Sequence, residues 1–396
     1  MTSTADRPRA GACRLVINAA ASPGAPWTAA QDAILSNAAF ARAAATIRSW
    51  PGYAETPLRH LPALARTLGV GAVAYKDEGG RFGLGSFKAL GGAYAVYRLL
   101  ETAKAEGRSP ADVTVTCATD GNHGRSVAWG AAMFGCRCVI FIHATVSEGR
   151  RRAIEAYGAE VRRTPGNYDD SVRIAGETAA GEGWNVVSDT SYPGYMDVPK
   201  DVMQGYELMA AEAFQQLRER PTHVFLQTGV GGMAAAVAAQ AKRRWRDGRP
   251  RIVLADPARA ACWAESFAAG GPVAIDGDLD TIMAGLACGE VSLLAWEILQ
   301  DHGDAAVVVE DAAAAEMMRR LARPEGADPP IVAGESATAG LAALADAMID
   351  PSARAALGLG PESRVLVFGT EGDTDPDLYR EIVGEDAASV RARGAS

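Results

Sequence analysis

The sequence contains little cysteine, with six in 396 residues. Six are too few for a disulfide scaffold, and none has the paired spacing of a structural zinc site, so we expect no metal. The six are Cys13, Cys117, Cys136, Cys138, Cys262 and Cys288. The sequence leaves open whether Cys262 and Cys288 meet and pair.

Long hydrophobic runs and basic clusters are also missing. No window approaches the roughly 18 uninterrupted apolar residues of a spanning helix. The first ten residues lead into no apolar stretch of signal-peptide length, so we expect a cytoplasmic protein. The net charge is −9 and charged residues make up 22%. That balance argues against nucleic-acid and membrane partners and suits an enzyme of small molecules.

What the chain does have is apolar residues, at 48% of its length. A chain of this size usually divides its core between two domains. From about residue 70 onward, short Val/Ile-rich runs alternate with Ala-rich helical stretches, which predicts an α/β fold with mostly parallel sheets flanked by helices. The predicted strands are 73–76, 113–118, 138–142, 159–164, 184–189, 223–228, 251–256, 306–310 and 364–369.

Ligands of open α/β sheets bind at the carboxyl ends of the strands, so the turns there are informative. The first such turn, GRFGLGSFKALGG (80–92), leads into a helix whose first turn holds Phe87 and Lys88. A positive helix end and apolar neighbours would lower the pKa of this lysine, as an imine-forming amine needs. The alternative is an ordinary solvated lysine.

The second turn, TDGNHG (119–124), follows a predicted strand and precedes a helix. Successive backbone N–H groups in such a turn form a nest for a carboxylate or phosphate. Asn122 offers a donor and an acceptor to a planar ligand. Asp120 either brings a negative charge to the ligand or caps the helix. His123 is better interpreted as a structural turn residue than as a base.

The third turn lies within LQTGVGGMAAAVAAQ (226–240) and joins a strand to a helix through Gly229, Val230, Gly231, Gly232 and Met233. Glycines permit close backbone approach, and the helix start favours one phosphate. The run lacks the Lys-Ser/Thr ending of a P-loop. Ala234 stands where a dinucleotide-binding dehydrogenase would have its last glycine.

The fourth turn, VLVFGTEGDTD (365–375), delivers Thr370 from the end of a strand. The acids behind it, Glu371, Asp373 and Asp375, suggest a cation site, although solvated loop acids are commoner. A weaker fifth turn is GESATAG (334–340).

Together these turns resemble the tryptophan synthase β-like (fold type II) pyridoxal-phosphate enzymes. The S-F-K lysine, a G-N-H turn about thirty residues later and a Gly-rich turn further on occur in that family's order. The sequence is most similar to the diaminopropionate ammonia-lyase branch, through KDEGGRFGLGSFKALGGAYAV, TDGNHGRSVAW, NYDDSVR, THVFLQTGVGGMAA, TIMAGLACGE, GES and TEGDTD. The resemblance covers about residues 25–385.

The resemblance implies pyridoxal 5'-phosphate as cofactor, held as a Schiff base by Lys88. The Gly-rich turn would bind its phosphate, Asn122 its 3'-oxygen and Thr370 its pyridine nitrogen. The implied cofactor-binding residues are Lys88, Phe87, Asn122, Gly229, Val230, Gly231, Gly232, Met233 and Thr370.

The resemblance also implies elimination of ammonia from 2,3-diaminopropionate, giving pyruvate and a second ammonia. Lys88 and Asp120 would exchange protons on opposite faces of the cofactor, so that both L- and D-isomers react. Asp120 and Asp189 are the candidates for the β-ammonium group, and Tyr168 for closing over the site. The implied substrate-binding residues are Thr119, Asp120, Gly121, Asn122, His123, Asp189 and Tyr168.

The expected architecture is a large discontinuous cofactor domain, residues 1–96 and 221–396, with a smaller substrate domain, residues 97–220, inserted. A homodimer is expected from the family alone. Two other functions stay open. One is a serine/threonine dehydratase or related β-replacement enzyme; Asp120 and Val230 depart from that group. The other is a catalytically degenerate amino acid-binding protein.

Overall fold

A computed structural model describes residues 13–119, 121–166 and 168–394, and of residue 169 only the backbone. Asp120, a predicted site residue, therefore lies outside the described residues. The described strands are β1 Arg14–Ile17, β2 Leu58–His60, β3 Ala72–Asp77, β4 Thr114–Ala118, β5 Arg137–Ile142, β6 Glu160–Arg163, β7 Asn185–Val186, β8 His223–Gln227, β9 Arg251–Pro257, β10 Ala305–Val309 and β11 Arg364–Gly369.

Helices fill most of the intervals between the strands. The described α-helices are α1 Ala29–Ile34, α2 Asn37–Arg48, α3 Pro62–Leu68, α4 Lys88–Ala105, α5 Asn122–Phe134, α6 Glu148–Glu155, α7 Tyr168–Glu182, α8 Asp197–Gln216, α9 Gly232–Trp245, α10 Cys262–Ala269, α11 Leu293–His302, α12 Asp311–Ala322, α13 Ala339–Ile349, α14 Pro351–Leu357, α15 Pro376–Val383 and α16 Ala387–Gly394. Short 3-10 helices lie at Arg81–Gly83, Pro110–Asp112, Arg246–Gly248, Ala284–Leu286 and Ser336–Thr338. None of the helices in the described ranges is long and apolar enough to cross a membrane.

The larger sheet has seven strands in the order β1-β10-β9-β8-β11-β3-β2. Its five inner strands are parallel, and the edge strands β1 and β2 pair antiparallel with β10 and β3. The five inner strands were all predicted, because strands covered on both faces have continuous apolar runs. The two edge strands were not predicted. The predicted α/β fold with mostly parallel sheets is confirmed.

The smaller sheet has four parallel strands in the order β6-β5-β4-β7. The run 184–189 was predicted as a strand, but β7 covers only Asn185–Val186. Asp189 therefore lies three residues beyond the strand rather than at its end. Since β7 pairs with β4, the segment that follows it still lies beside the 119–123 turn.

Helix α4 packs against both α5 and α8, and α8 packs against α9. Glycines make this close packing possible. A Cβ on Gly205 of α8 would collide with the backbone of Leu90, and one on Gly92 of α4 would collide with Ser126 of α5. Helix α4, which begins at Lys88, is thus held between α5, which follows a strand of the smaller sheet, and α8, which precedes a strand of the larger sheet.

The predicted division of the chain meets this packing differently at its two boundaries. Residue 220 lies between α8 and β8, in a connection. Residue 96, the other predicted boundary, lies inside α4.

The loop before α4 is held by a group of four buried charges. Arg81 binds Glu78 through Nε and Oε2 at 2.8 Å and Glu212 through Nη2 and Oε2 at 2.6 Å. Lys76 Nζ lies 2.9 Å from Glu212 Oε2. Thr56 Oγ1 donates to Glu78 Oε1 at 2.5 Å. All four charged side chains are at most 1% exposed, so each depends on the others for charge compensation.

We predict that Glu212→Ala destabilises the protein by about 3–5 kcal/mol, because it leaves two cations buried without their shared carboxylate. Urea unfolding measures the change. Glu219→Ala is the matched control, since Glu219 binds Arg364 at 3.3 Å but is 72% exposed, and such pairs contribute at most about 1 kcal/mol. Equal losses in the two variants would contradict the prediction.

Candidate functional site

Lys88 is the first residue of α4, and its amine faces Asp189 from the smaller sheet. Nζ donates to Asp189 Oδ2 at 2.5 Å. The backbone N–H of Phe87 donates to the carbonyl oxygen of Thr370 at 3.0 Å. The end of β11, the start of α4 and the segment after β7 therefore meet at this ion pair.

The surroundings of Lys88 keep its amine protonated. Burial lowers the pKa of Lys88, but the charge and hydrogen bond of Asp189 outweigh it and hold the pKa above its ordinary value. Burial opposes the charge on Asp189 too, yet the charge and the hydrogen bond of Lys88 hold the pKa of Asp189 below its ordinary value. The expectation of a lowered lysine pKa is wrong here, because the helix start and apolar neighbours gave no sign of a carboxylate 101 residues away.

Two aromatic rings line the amine. The Nζ atom lies 5.5 Å from the ring centroid of Phe87 and 5.8 Å from that of Tyr206. Burial raises the pKa of Tyr206, so its hydroxyl stays protonated. This buried hydroxyl has no hydrogen-bond partner within the described ranges. A buried donor of this kind is a position where a ligand atom is accommodated at low cost.

Thr119 binds the backbone at the start of α5. Thr119 Oγ1 accepts from the N–H groups of Gly121 at 3.1 Å and Gly124 at 3.3 Å. Thr119 is buried, and a Cβ on Gly124 would collide with its methyl group. The hydroxyl thus closes the turn against the start of α5.

His123 faces the ion pair from this turn. Its Nε2 lies 2.8 Å from the carbonyl oxygen of Val187 and therefore carries the proton. Its Nδ1 lies 3.9 Å from Asp189 Oδ2. Burial is the main cause of the lowered pKa of His123, so the imidazole is neutral. These contacts suit the predicted role as a turn residue.

Asn122, at the first position of α5, contacts the larger sheet. Its Nδ2 donates to Glu371 Oε2. Glu371 is buried, and its Oε1 accepts from the backbone N–H of Ser336 at 3.1 Å. The acids of the fourth turn were expected to be solvated; Glu371 is instead a buried acceptor between two sheets.

A second buried acid, Glu335, lies behind Glu371. Burial and then the charge of Glu371 raise the pKa of Glu335 to about 8. Arg150 of α6 bridges Glu335 and Asp375, with both N···O distances at 3.2 Å. The fifth turn, judged weak from the sequence, therefore supplies part of the contact between the two sheets.

The glycine turn after β8 fits a phosphate. Gly231 has φ 96°, a left-handed conformation that favours glycine, and a Cβ there would overlap the ring of Trp263. Trp263 Nε1 donates to the carbonyl oxygen of Gly229 at 2.9 Å. Helix α9 begins at Gly232 with no acid in its first turn. Its first N–H groups have no partner within the helix and favour an anion.

This turn lies beside the lysine. A Cβ on Gly232 would be 3.9 Å from the carbonyl oxygen of Asp189. Val230 accepts a hydrogen bond from the N–H of Ser292 at 2.9 Å through its carbonyl oxygen, and Met233 is buried in the first turn of α9. The glycine turn and the ion pair between Lys88 and Asp189 thus form one site.

Thr370 is buried next to the strand β8. Gln227 Nε2 donates to Thr370 Oγ1 at 2.6 Å and to the carbonyl oxygen of Phe368 at 2.8 Å. The opposite end of that amide, Oε1, is buried with no hydrogen-bond partner in the described part of the chain. The Thr370 hydroxyl is left able to donate to a ring nitrogen.

Tyr168 lies at the start of α7 and is 43% exposed. Its ring meets the edge of His143 at 6.4 Å between centroids, just after β5. It therefore lies at the carboxyl end of the smaller sheet.

The two cysteines whose pairing the sequence left open, Cys262 and Cys288, converge on the glycine turn. Cys262 Sγ contacts the carbonyl oxygen of Gly229 at 3.8 Å, and Cys288 Sγ lies 2.9 Å from where a Gly229 Cβ would be.

The site therefore unites Lys88, Asp189 and the turns that were predicted from sequence. Four residues that contact it were not assigned to it from the sequence: Tyr206, Gln227, Glu335 and Glu371. Gln227, Glu335 and Glu371 lie within turns that were singled out, and Glu371 was considered there for a cation site, so these turns were an available signal. Tyr206 lies within a long helix and had none.

Comparison with known proteins connects this site to a family. The family model described as pyridoxal-phosphate dependent enzyme matches residues 49–371. A diaminopropionate ammonia-lyase of Escherichia coli (strain K12) is 42% identical over 356 residues, covering 86% of this chain and 89% of the relative.

Solved structures agree. Diaminopropionate ammonia lyase from Escherichia coli, in complex with an aminoacrylate-PLP azomethine reaction intermediate, matches with TM-score 0.84 and 38% identity, covering 94% of this chain and 96% of that one. Threonine deaminase isoform 2 from Solanum lycopersicum matches with TM-score 0.74 at 20% identity over 94% and 96%, which shows a shared fold alone. The predicted fold type II architecture is confirmed.

We predict that Gly231→Ala lowers the affinity for pyridoxal phosphate at least ~10-fold, because the added methyl group displaces Trp263 and the turn that it holds. Absorbance titration of the apoprotein with pyridoxal phosphate measures the affinity. Gly270→Ala is the matched control: Gly270 also has a positive φ, 70°, but a Cβ there meets nothing within 4 Å. An unchanged affinity in Gly231→Ala would contradict the assignment of the glycine turn as the phosphate-binding site.

Proposed function

This chain belongs to the family of pyridoxal-phosphate-dependent enzymes, and we propose that it eliminates ammonia from 2,3-diaminopropionate, with water, to give pyruvate and two ammonia. The observation that carries the proposal is the meeting of Lys88, the glycine turn and the 119–123 turn at one site, in a chain so similar to diaminopropionate ammonia-lyase.

The cofactor, when bound, supplies an aldehyde that an amine can trap and a ring that accepts electrons. We propose that Lys88 provides the amine. Because Asp189 holds the proton of Lys88 Nζ in place, that proton must leave before the amine can react. The two rings beside it exclude water from one side of the site.

We propose that the N–H groups of the glycine turn bind the cofactor phosphate. The free helix start of α9 and the absence of an acid in its first turn support this. Thr370 would donate to the pyridine nitrogen and leave it neutral, and Asn122 would contact the 3'-oxygen. Phe87 and Lys88 complete this set, in which the glycine turn contributes Gly229, Val230, Gly231, Gly232 and Met233.

The substrate carboxylate would bind the N–H groups of the 119–123 turn, from Thr119 to His123. Lys88 and Asp120 would exchange the α-proton on opposite faces. Asp189 suits the β-ammonium group, because it stays ionised beside the reacting amine. A carboxylate there prefers the cationic substrate to serine, whose hydroxyl is neutral. Tyr168 would close over the cleft.

The alternatives predict different assays. A serine/threonine dehydratase would form pyruvate faster from serine than from diaminopropionate. A binding protein would change the spectrum of bound cofactor on adding the amino acid but release no ammonia. The departures at Asp120 and Val230 favour the diamino acid.

The domain division, the cellular location and the oligomeric state are also proposals. The larger sheet would form a cofactor domain, residues 1–96 and 221–396, and the smaller sheet a substrate domain, residues 97–220. We propose a cytoplasmic homodimer, on the family resemblance alone.

We predict that Lys88→Ala lowers pyruvate formation at least ~10²-fold, since it removes both the cofactor anchor and one proton carrier. The absorbance of lysine-bound cofactor should vanish, and borohydride should no longer fix the cofactor to the chain. Lys104→Ala, at the far end of α4, should behave like the unchanged protein. Label fixed at another residue in the unchanged protein would refute the assignment.

We predict that Asp120→Asn reduces turnover of D-diaminopropionate roughly 10²-fold or more, with a smaller loss for the L-isomer, because Lys88 serves the other face. Pyruvate release from each pure isomer gives the ratio. Equal losses for both isomers would remove the face-specific role of Asp120.

A further inference from the structure

We propose that Glu371 is a positioning residue, which acts through Asn122 by fixing which end of the Asn122 amide faces the cofactor. This inference rests on the proposed function, since it concerns the same site. The sequence offered for Glu371 a cation site or a solvated loop position, and no role toward the cofactor.

The contacts of Glu371 make it a fixed acceptor. Oε2 accepts from Asn122 Nδ2 and from Thr374 Oγ1, the latter at 3.2 Å. Oε1 accepts from the backbone N–H of Ser336 at 3.1 Å. The carboxylate is 5% exposed, and a Cβ on Gly334 would lie 2.9 Å from its Cγ. Three donors and close backbone packing therefore leave it a single position.

An asparagine amide has two N–H donors at one end and an acceptor at the other. An ionised carboxylate only accepts, so Glu371 selects the NH2 end of Asn122. One N–H is used by Glu371, and the second is left for an acceptor on the ligand. The 3'-oxygen proposed above as the partner of Asn122 is such an acceptor. Without Glu371, both orientations of the amide become available, and one presents the wrong end.

Glu371 also determines where this amide lies. Asn122 begins α5 of the smaller sheet, whereas Glu371 follows Thr370 at the end of β11 in the larger sheet. The contact therefore fixes the amide relative to the proposed ring-nitrogen partner, one residue away. Charge-assisted hydrogen bonds of this kind are short and about twice as strong as neutral ones.

The test uses Glu371→Gln, which keeps the size of the side chain but gives it an amide. Because the backbone N–H of Ser336 is a fixed donor, the oxygen of the introduced glutamine would stay with it, and the NH2 group would face Asn122. The Asn122 amide would then flip, and its oxygen would take the place of its NH2 group and face the acceptor on the ligand. In the holoprotein we expect the bound cofactor to lose the long-wavelength absorbance of its ionised 3'-oxygen. We also expect the affinity of the apoprotein for pyridoxal phosphate to fall roughly 10-fold.

Asp328→Asn is the matched control. Asp328 is as buried as Glu371, and its carboxylate also accepts from backbone N–H groups, those of Ala63 at 2.8 Å and Leu64 at 2.9 Å, but it is not part of the site. The absorbance and the affinity should therefore be unchanged. Urea unfolding of each apoprotein separates loss of structure from loss of orientation.

A double-mutant cycle completes the test. Asn122→Ala should give the same spectral change as Glu371→Gln, and the double variant should bind the cofactor no more weakly than Asn122→Ala alone. Additive losses, or an unchanged spectrum in Glu371→Gln, would overturn the proposal. These readouts need no turnover. A protein that shows the coupled spectra but forms no pyruvate from diaminopropionate would sink the proposed function and leave the role of Glu371 standing.

Discussion

The ion pair between Lys88 and Asp189 is the interaction on which the rest of the site depends. It joins the start of α4 to the segment beyond β7, and it lies mostly out of water, with both side chains about one-fifth exposed. Two charges in such a place require each other, because either alone would be costly to desolvate. If the amine of Lys88 loses its charge when it binds the cofactor, the negative charge of Asp189 is no longer compensated by Lys88. A cationic substrate can then compensate it.

The contacts between the turns of the two sheets differ in kind from those between the helices behind them. In front, the turns of the two sheets meet through polar groups, such as Asn122 with Glu371 and Arg150 with Glu335. Behind, α4, α5 and α8 pack closely through glycines. Polar contacts can exchange partners with a ligand or water at low cost, whereas close apolar packing resists separation. The site can therefore adapt at the turns that contact the ligand and is rigid where α4, α5 and α8 support it.

Much of the fold was predictable because the inner strands carry continuous apolar runs that are hard to mistake. The edge strands β1 and β2 escaped because they are four and three residues long and pair antiparallel at the rim. The turns were predictable one at a time from glycines and helix starts. What could not be predicted is which charges meet across the chain, as with Lys88 and Asp189. Local sequence therefore located the lysine but gave its pKa shift the wrong direction.

The buried charges around Arg81 have a consequence for how the sequence can change. Glu212 serves both Lys76 and Arg81, and Glu78 shares Arg81 with it. Replacing one of these residues alone leaves the charges of the others buried without compensation. A tolerated change therefore has to replace all four together by apolar side chains of similar volume. Descendants of this sequence should keep all four or lose all four. The segment before the reactive lysine therefore tolerates few single substitutions at these charged positions, although none of the four charged residues belongs to the site.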